Sequence, residues 1–106
     1  MIEKSMQEIL IARFPALVDD ATKIDVRPEW IKFIYQFCER VEALDFDLTR
    51  MRLHDIYEDR GRIVLDYDTL PEWLGRPSVP PRIKLKLRHF AEEIALESQL
   101  EGKDDE

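Results

Sequence analysis

The stretch Met51-Arg-Leu-His-Asp-Ile-Tyr-Glu-Asp-Arg-Gly-Arg-Ile-Val-Leu-Asp-Tyr-Asp68 decides the fold of this chain. Two segments of strand-like composition flank the polar residues 58–62, and Gly61 can adopt a positive φ there at little steric cost. The stretch therefore predicts a β-hairpin with a loop of roughly three to five residues. Two strands alone are marginally stable in water, so helices must cover the apolar face of the hairpin.

The alternation of apolar and polar residues along the hairpin breaks at one point. Met51 and Leu53 share one face of the first strand, but Asp55 then falls on that apolar face and Ile56 falls on the polar one. The second strand keeps its apolar residues on one face: Ile63, Leu65 and Tyr67. One extra residue exchanges the two faces of a strand beyond it, so we predict a β-bulge near Asp55 and Ile56.

Helical periodicity is clearest in the segment that begins at Pro28, where proline is tolerated because its missing amide would be unpaired. An N-terminal helix is predicted from Met6, Ile9, Leu10 and Phe14, with a weaker helical piece over residues 16–24. A last helix follows Ser78, a suitable N-cap residue. The predicted fold class is α+β, in the order α-α-β-β-α, with the helices packed on one face of a small antiparallel hairpin.

Residues 1–101 are predicted to form a single domain, and residues 102–106 a disordered acidic tail. Residues 68–81 form a long loop, in which Trp73 and Leu74 are expected to contact the core. The predicted core consists of the apolar stripes of the helices and strands: Trp30, Ile34, Phe37, Val41, Leu53, Ile63, Leu65, Leu87, Phe90 and Ile94.

The net charge of −7 is unevenly distributed along the chain. Residues 1–49 carry 10 acids and 6 bases, residues 50–90 carry 6 acids and 9 bases, and residues 91–106 carry 7 acids and 1 base. The acidic balance disfavours nonspecific binding of nucleic acid. One cysteine, no signal-peptide pattern and no long apolar run predict a cytoplasmic protein without a disulfide or a membrane contact.

The basic residues of the middle segment form a candidate interaction patch, which comprises Arg50, Arg52, Arg62, Arg82, Lys84, Lys86 and Arg88. Two interpretations remain open. The patch either contacts an anionic partner or balances the carboxylates of the same chain. Bases near the start of a helix oppose its macrodipole by a few tenths of a kcal/mol each, which favours some compensating negative charge.

Other polar groups favour structural roles over chemistry. His89, Glu92 and Glu93 share a helix face that could hold a metal, but no second His-carboxylate pair completes such a site. Asp66 and Asp68 suit the polar face of a one-sided sheet, and His54 and Asp55 are adjacent on a strand. Cys38 lies in or beside an apolar stripe, which is typical of a buried inert thiol. We therefore predict no catalytic residue, no metal site and no cofactor.

Residues 56–65 resemble the Ile-Lys-Glu-Lys-Phe-Gly-x-Leu-Arg-Phe hairpin of small uncharacterised phage and prophage proteins. The helix start Trp30-Ile-Lys-Phe-Ile34 and the helix end Ala95-Leu-Glu-Ser98 are also similar. The chain departs from the pattern at Tyr57, Asp59 and Arg60, and it lacks the Cys-x-x-Cys that often follows the last helix there, so no metal is implied. The resemblance implies a phage-like origin and an α-β-β-α order over residues 27–100.

These features predict a non-catalytic interaction protein, such as a phage-encoded modulator that binds and inhibits a host protein. The alternative is a nucleic-acid or anionic-ligand binding module that uses the candidate interaction patch. A homo-oligomer could form through the edge of the hairpin, because no proline interrupts that edge.

Overall fold

A computed structural model describes residues 4–44, 48–69 and 79–104. The helices are α1 (Lys4–Arg13), α2 (Ile31–Glu42) and α3 (Pro81–Asp104), and the strands are β1 (Lys23–Asp25), β2 (Met51–Asp59) and β3 (Arg62–Thr69). Single 3-10 turns, Pro28–Trp30 and Leu48–Arg50, precede α2 and β2.

The three strands form one mixed sheet in the order β1-β2-β3. β1 is parallel to β2, and β2 is antiparallel to β3. The α+β class is confirmed, but the expectation of a purely antiparallel sheet is wrong, because residues 16–24 contain turns and the start of β1 instead of a helical piece. Ile24 pairs with Ile56 and is buried, so tertiary pairing decides the conformation of a segment too short to show a period.

The hairpin turn is tighter than the predicted loop. Asp59 pairs with Arg62, so only Arg60 and Gly61 connect the strands. Their φ angles are 54° and 81°, and two positive φ angles in succession are the mark of a type I′ turn. The ladder therefore continues through polar residues that the sequence assigns to the loop.

The predicted β-bulge is confirmed, since the register of β2 against β3 shifts between Leu53 and Asp55. The backbone of Leu53 is held by the segment before β1. Its N–H donates to the carbonyl of Leu17 at 2.8 Å, and its carbonyl accepts from the buried Thr22 hydroxyl, also at 2.8 Å. The shift returns Ile56 to the same buried face as Met51 and Leu53.

The predicted core residues are buried, apart from Phe90, which is partly buried against the core. Ile9, predicted to lie on the inner face of the first helix, is instead 63% exposed, and Leu10 and Phe14 supply the buried contacts of this segment. Tyr67 stacks on Phe37 with ring centroids 6.3 Å apart, and this stack connects β3 to α2.

α3 runs antiparallel to α2. Arg40 binds Glu93 at 2.7 Å and Lys32 binds Glu101 at 2.6 Å. The helix continues to Asp104, so residues 102–104 are helical although the sequence assigns them to a disordered tail. Trp73, Leu74 and Ser78 lie outside the described residues, as does most of the predicted loop.

An ion pair that sequence patterns do not indicate joins the segment before α2 to the sheet, with both side-chain donors on one oxygen of the carboxylate. Arg27 donates to Glu58 through Nε at 3.1 Å, Nη2 at 2.8 Å and its backbone N–H at 2.8 Å. The guanidinium lies 4.1 Å from the centre of the Trp30 ring. Burial raises the pKa of Glu58, but the hydrogen bonds from Arg27 outweigh it, so the pKa lies below its ordinary value.

Replacing Thr22 by valine should lower the free energy of unfolding by about 1–3 kcal/mol, because the buried carbonyl of Leu53 loses its donor. Urea unfolding followed by circular dichroism measures the change. Thr69→Val is the matched control, since no hydrogen bond of the Thr69 hydroxyl occurs within the described residues. Equal effects of the two substitutions would contradict the role assigned to Thr22.

Replacing Glu58 by glutamine should lower the free energy of unfolding by about 1 kcal/mol at neutral pH, a modest value because the Arg27 and Glu58 side chains are 35% and 28% exposed. A carboxylate with a lowered pKa stabilises the fold above its unfolded pKa and loses this effect as pH falls through its folded pKa. The difference from the wild type should therefore be constant above about pH 6 and shrink below the ordinary value of 4.5. Glu29→Gln, at an exposed position nearby, is the control, and a difference independent of pH would contradict this account.

Candidate protein-binding groove

α3 lies along β3, and a groove of about 560 Å³ opens between them. The helix runs antiparallel to the strand, because Ser98 contacts Ile63 near the hairpin turn and Arg88 lies near Tyr67 towards the other end. The apolar part of the lining comes from both elements and includes Leu65, Tyr67, Ala91, Ala95 and Leu96. Ala91 and Ala95 have small side chains, so the groove is wide enough at this point for a side chain to enter.

β3 is an edge strand of the sheet, and its free edge borders the groove. Backbone groups along an antiparallel strand point alternately towards the neighbouring strand and away from it. The N–H of Ile63 points away from β2, because it donates to the buried Ser98 hydroxyl at 2.9 Å. The same alternation directs the N–H and carbonyl groups of Leu65 and Tyr67 towards the groove.

The free edge of β3 is therefore closed at one position and open at two. The Ser98 hydroxyl accepts from Ile63 and donates its own hydrogen to the carbonyl of Ala95 at 2.7 Å, so it has no further hydrogen to donate. Within residues 4–44, 48–69 and 79–104, no element other than β2 hydrogen-bonds to the backbone of Leu65 or Tyr67. An extended segment of another molecule could pair with these two residues.

Charged groups stand at the rim of the groove. Arg62 and Arg88 belong to the predicted interaction patch, and both line the groove together with Glu92. Nε of Arg88 lies 3.2 Å from the Glu92 carboxylate, one helical turn away. Burial raises the pKa of the Tyr67 phenol, so its hydroxyl stays protonated and can donate a hydrogen bond at neutral pH.

The remaining residues of the predicted patch do not form one surface. Arg52 pairs in register with Asp68 and Arg62 with Asp59, which places the two arginines on one face of the sheet roughly 20–25 Å apart. Arg52 also binds Asp19 at 3.0 Å. Arg50 lies in the turn that leads into β2, at the end of the sheet away from the hairpin turn.

The α3 residues of the patch are divided as well. Positions two residues apart on a helix differ by about 200° in direction, so Lys84 and Lys86 lie on opposite flanks of the buried Ile83 and Leu87. Arg82, Lys84 and Lys86 are exposed, and none forms an ion pair with a residue in the described part of the chain. Ion pairs with carboxylates of the same chain therefore account for Arg52 and Arg88, but they do not account for these three residues.

Three residues that the sequence singles out separately meet on the polar face of the sheet. Nε2 of His54 lies 3.4 Å from a carboxylate oxygen of Asp66 and 3.6 Å from one of Asp68. His54 is the extra residue at the β-bulge, so this cluster occupies the point where the ladder is irregular. No group of three or more His, Cys, Asp or Glu side chains in the described residues could hold a metal ion.

The other candidate groups are engaged in structural contacts. His89 lies 2.7 Å from Glu93, which also accepts from Arg40, and Glu92 contacts Arg88. Cys38 is fully buried, and burial raises the pKa of its thiol to about 12. The thiol stays protonated at neutral pH and has no access to solvent, which opposes a nucleophilic role.

Comparison of the chain with protein-family models, curated proteins and solved structures finds no match. Among the described residues, no helix has both the length and the apolar character needed to cross a membrane.

We predict that the protein does not bind a short DNA duplex or single strand in low salt at tens of micromolar protein. The patch is divided among separate surfaces and the net charge is −7, so few phosphates can be neutralised together. Fluorescence anisotropy of a labelled oligonucleotide measures this. Saturable binding that is abolished in Lys84→Glu/Lys86→Glu would show the prediction to be wrong.

Proposed function

We propose that this protein is a non-catalytic interaction protein that binds a segment of a partner protein in the groove between β3 and α3. The observation that carries the proposal is the open edge at Leu65 and Tyr67, directly beside the apolar surface of Ala91 and Ala95. Addition of a strand to an exposed sheet edge is a general mode of peptide recognition, in which main-chain hydrogen bonds supply affinity and side-chain pockets supply specificity.

The groove favours a particular kind of segment. Its apolar lining suits small or branched aliphatic side chains, which would point into the groove at every second position of an extended segment. The guanidinium group of Arg62, and the Nη groups that Arg88 retains beside its Nε contact with Glu92, favour carboxylates at the ends of that segment, because arginine donates several hydrogen bonds to a carboxylate. The partner segment is thus an extended apolar stretch flanked by acidic residues.

The absence of catalysis is part of the same proposal. Cys38 is buried with a raised pKa, and His54 contacts two carboxylates on an exposed sheet face, so neither supports nucleophilic chemistry. The resemblance of residues 56–65 to phage proteins supports a modulator of a host protein as the specific form of this function. The single buried free cysteine supports a reducing compartment such as the cytoplasm.

One observation favours a second function. Arg82, Lys84 and Lys86 are exposed without an ion pair in the described residues, which suits an anionic ligand. We rank this function below protein binding, because these three residues lie on different flanks of α3 and the chain as a whole is acidic.

Replacing Ala95 by arginine should fill the groove and abolish capture of the partner, without loss of the fold. The experiment is affinity capture from a lysate of the host cell, with mass spectrometry of the retained proteins. Ala12→Arg introduces the same side chain at an exposed position of α1 and is the matched control. We expect a protein that is retained by the wild type and by Ala12→Arg and is lost with Ala95→Arg.

The contact is then mapped by crosslinking the wild type to the captured protein. Crosslinks from β3 or α3 to an extended acidic and apolar segment would support the proposal. Capture that Ala95→Arg leaves unchanged would refute it, and so would retention of nucleic acid in place of a protein.

A further inference from the structure

One face of α3 lies between the groove and the ion pairs with α2. Leu85, Leu96 and Leu100 lie on it and are 68%, 56% and 64% exposed. At 3.6 residues per turn, Leu96 and Leu100 lie about 20° and 60° from Leu85 around the helix axis, so the three side chains share one side of the helix. The exposed His89 and Glu92 lie on the same side between Leu85 and Leu96. The leucines are three of the five large apolar residues that are exposed in the described part of the chain. We call this surface the leucine stripe.

The charges of α3 are divided between its two halves. Residues 82–88 contain four bases and no acid: Arg82, Lys84, Lys86 and Arg88. Residues 92–101 contain four acids and no base: Glu92, Glu93, Glu97 and Glu101. Such a helix is complementary to a second copy of itself in the antiparallel orientation, because each basic half then faces an acidic half. Antiparallel pairing about a two-fold axis is also the symmetry that closes a homodimer.

We propose that a second copy of this chain docks on the leucine stripe, with α3 antiparallel to α3. In an antiparallel pair, moving four residues towards the N-terminus of one helix corresponds to moving four residues towards the C-terminus of the other. The register that places Lys86 opposite Glu97 also brings Arg82 level with Glu101, although Lys32 holds the Glu101 carboxylate on the α2 side of the helix at 2.6 Å. The same register places Leu85 of each copy midway between Leu96 and Leu100 of the other, where a side chain packs as a knob into a hole.

The flanking charges support this register. Lys86 has no ion pair within the described residues, and Glu97 is 47% exposed with a long contact of 3.7 Å to Arg40. Glu97 can therefore accept a second cation. Glu92 lies near the two-fold axis and meets its own copy there, but its carboxylate is already 3.2 Å from Arg88 of the same chain, which offsets the repulsion.

The leucine stripe is a better site for a second copy than the hairpin edge, which the sequence leaves open as a site of pairing. Ser98 already occupies the amide of Ile63, so pairing of β3 with another β3 would lose a hydrogen bond at that position. The leucine stripe requires no such exchange. Leu96 borders both surfaces, but the inference goes beyond the groove function, because Leu85 and Leu100 do not line the groove, whereas Ala95 does.

The test is sedimentation equilibrium of the full chain over a range of protein concentrations. We expect a monomer–dimer equilibrium in the wild type and a monomer in both Leu85→Glu and Leu100→Glu. Ile9→Glu changes an isoleucine on α1 that is 63% exposed, and it should leave the dimer intact. These side chains are exposed, so the variants should fold, which far-ultraviolet circular dichroism checks.

A charge exchange tests the orientation. Lys86→Glu and Glu97→Lys alone should each raise the dimer dissociation constant by about tenfold, because two symmetric attractions become repulsions. The double variant Lys86→Glu/Glu97→Lys should restore it, since the exchanged charges again face each other. The wild-type dissociation constant should rise with salt concentration.

Two results would overturn the inference. One is a wild type that stays monomeric up to millimolar concentration, and the other is a dimer that persists in Leu85→Glu and Leu100→Glu. Failure of the groove function has a different signature. Ala95→Phe fills the groove without placing a positive charge level with Arg88 of the second copy, so it should remain dimeric while it loses partner capture. Leu85→Glu should lose the dimer while it keeps the groove.

Discussion

The backbone of Leu53 holds the sheet in register, and the rest of the structure depends on it. Its N–H and carbonyl bind Leu17 and the Thr22 hydroxyl, which lie outside the three-strand ladder. The next residue, His54, is thereby left out of the pairing with β3, and the register shifts by one residue. A shift of one residue exchanges the faces of a strand, so Ile56 joins Met51 and Leu53 in the core instead of pointing to solvent. The same contacts attach the segment before β1, which positions Ile24 beside Ile56.

A second hydroxyl, that of Ser98, determines how much of the sheet edge remains available. It accepts from Ile63 and donates to Ala95, and it is fully buried. Natural sheets commonly cover or shorten their edge strands, because an open edge invites pairing with other chains. Here β1 has only three residues. α3 covers the backbone edge of β3 at Ile63, through Ser98, but leaves the backbone groups of Leu65 and Tyr67 open. The groove results from this partial cover, since the small side chains of Ala91 and Ala95 leave space where a larger residue would have closed the edge.

The sequence predicts those parts of the fold that follow from a regular period. The stripe from Trp30 to Val41 and the interrupted alternation at Asp55 are visible because several residues repeat a spacing of 3.6 or 2. β1 could not be found in this way. Its three residues are too few to show an alternation, and Ile24 enters the sheet through a parallel pairing with residues 55–57, which are distant in sequence. The turn is shorter than the sequence predicts for a related reason, because the pairing of Asp59 with Arg62 depends on backbone geometry and not on apolar character.

The candidate site was only partly predictable for a different reason. Arg62 and Arg88 belong to the predicted patch and line the groove, yet the sequence gives no indication that they share it. That depends on the direction in which α3 crosses β3, which the contact between Ser98 and Ile63 fixes. The basic residues of the patch are neighbours in sequence, but the helical rotation of about 100° per residue separates them in space. Clustering along a chain predicts a surface only where the spacing matches the period of the element that carries it.

The order of charges along α3 opposes the helix macrodipole, and the two halves of the helix resolve this differently. Acids are unfavourable near a helix C-terminus, but Lys32 and Arg40 of α2 bind Glu101 and Glu93 and offset the cost. Bases are unfavourable near the N-terminus, and there Arg82, Lys84 and Lys86 have no ion pair within the described residues. Negative charge from outside the chain would therefore stabilise the first turns of α3. An antiparallel copy of α3 supplies that charge, and it also opposes the two macrodipoles, so the order that is unfavourable in one helix becomes favourable in a pair.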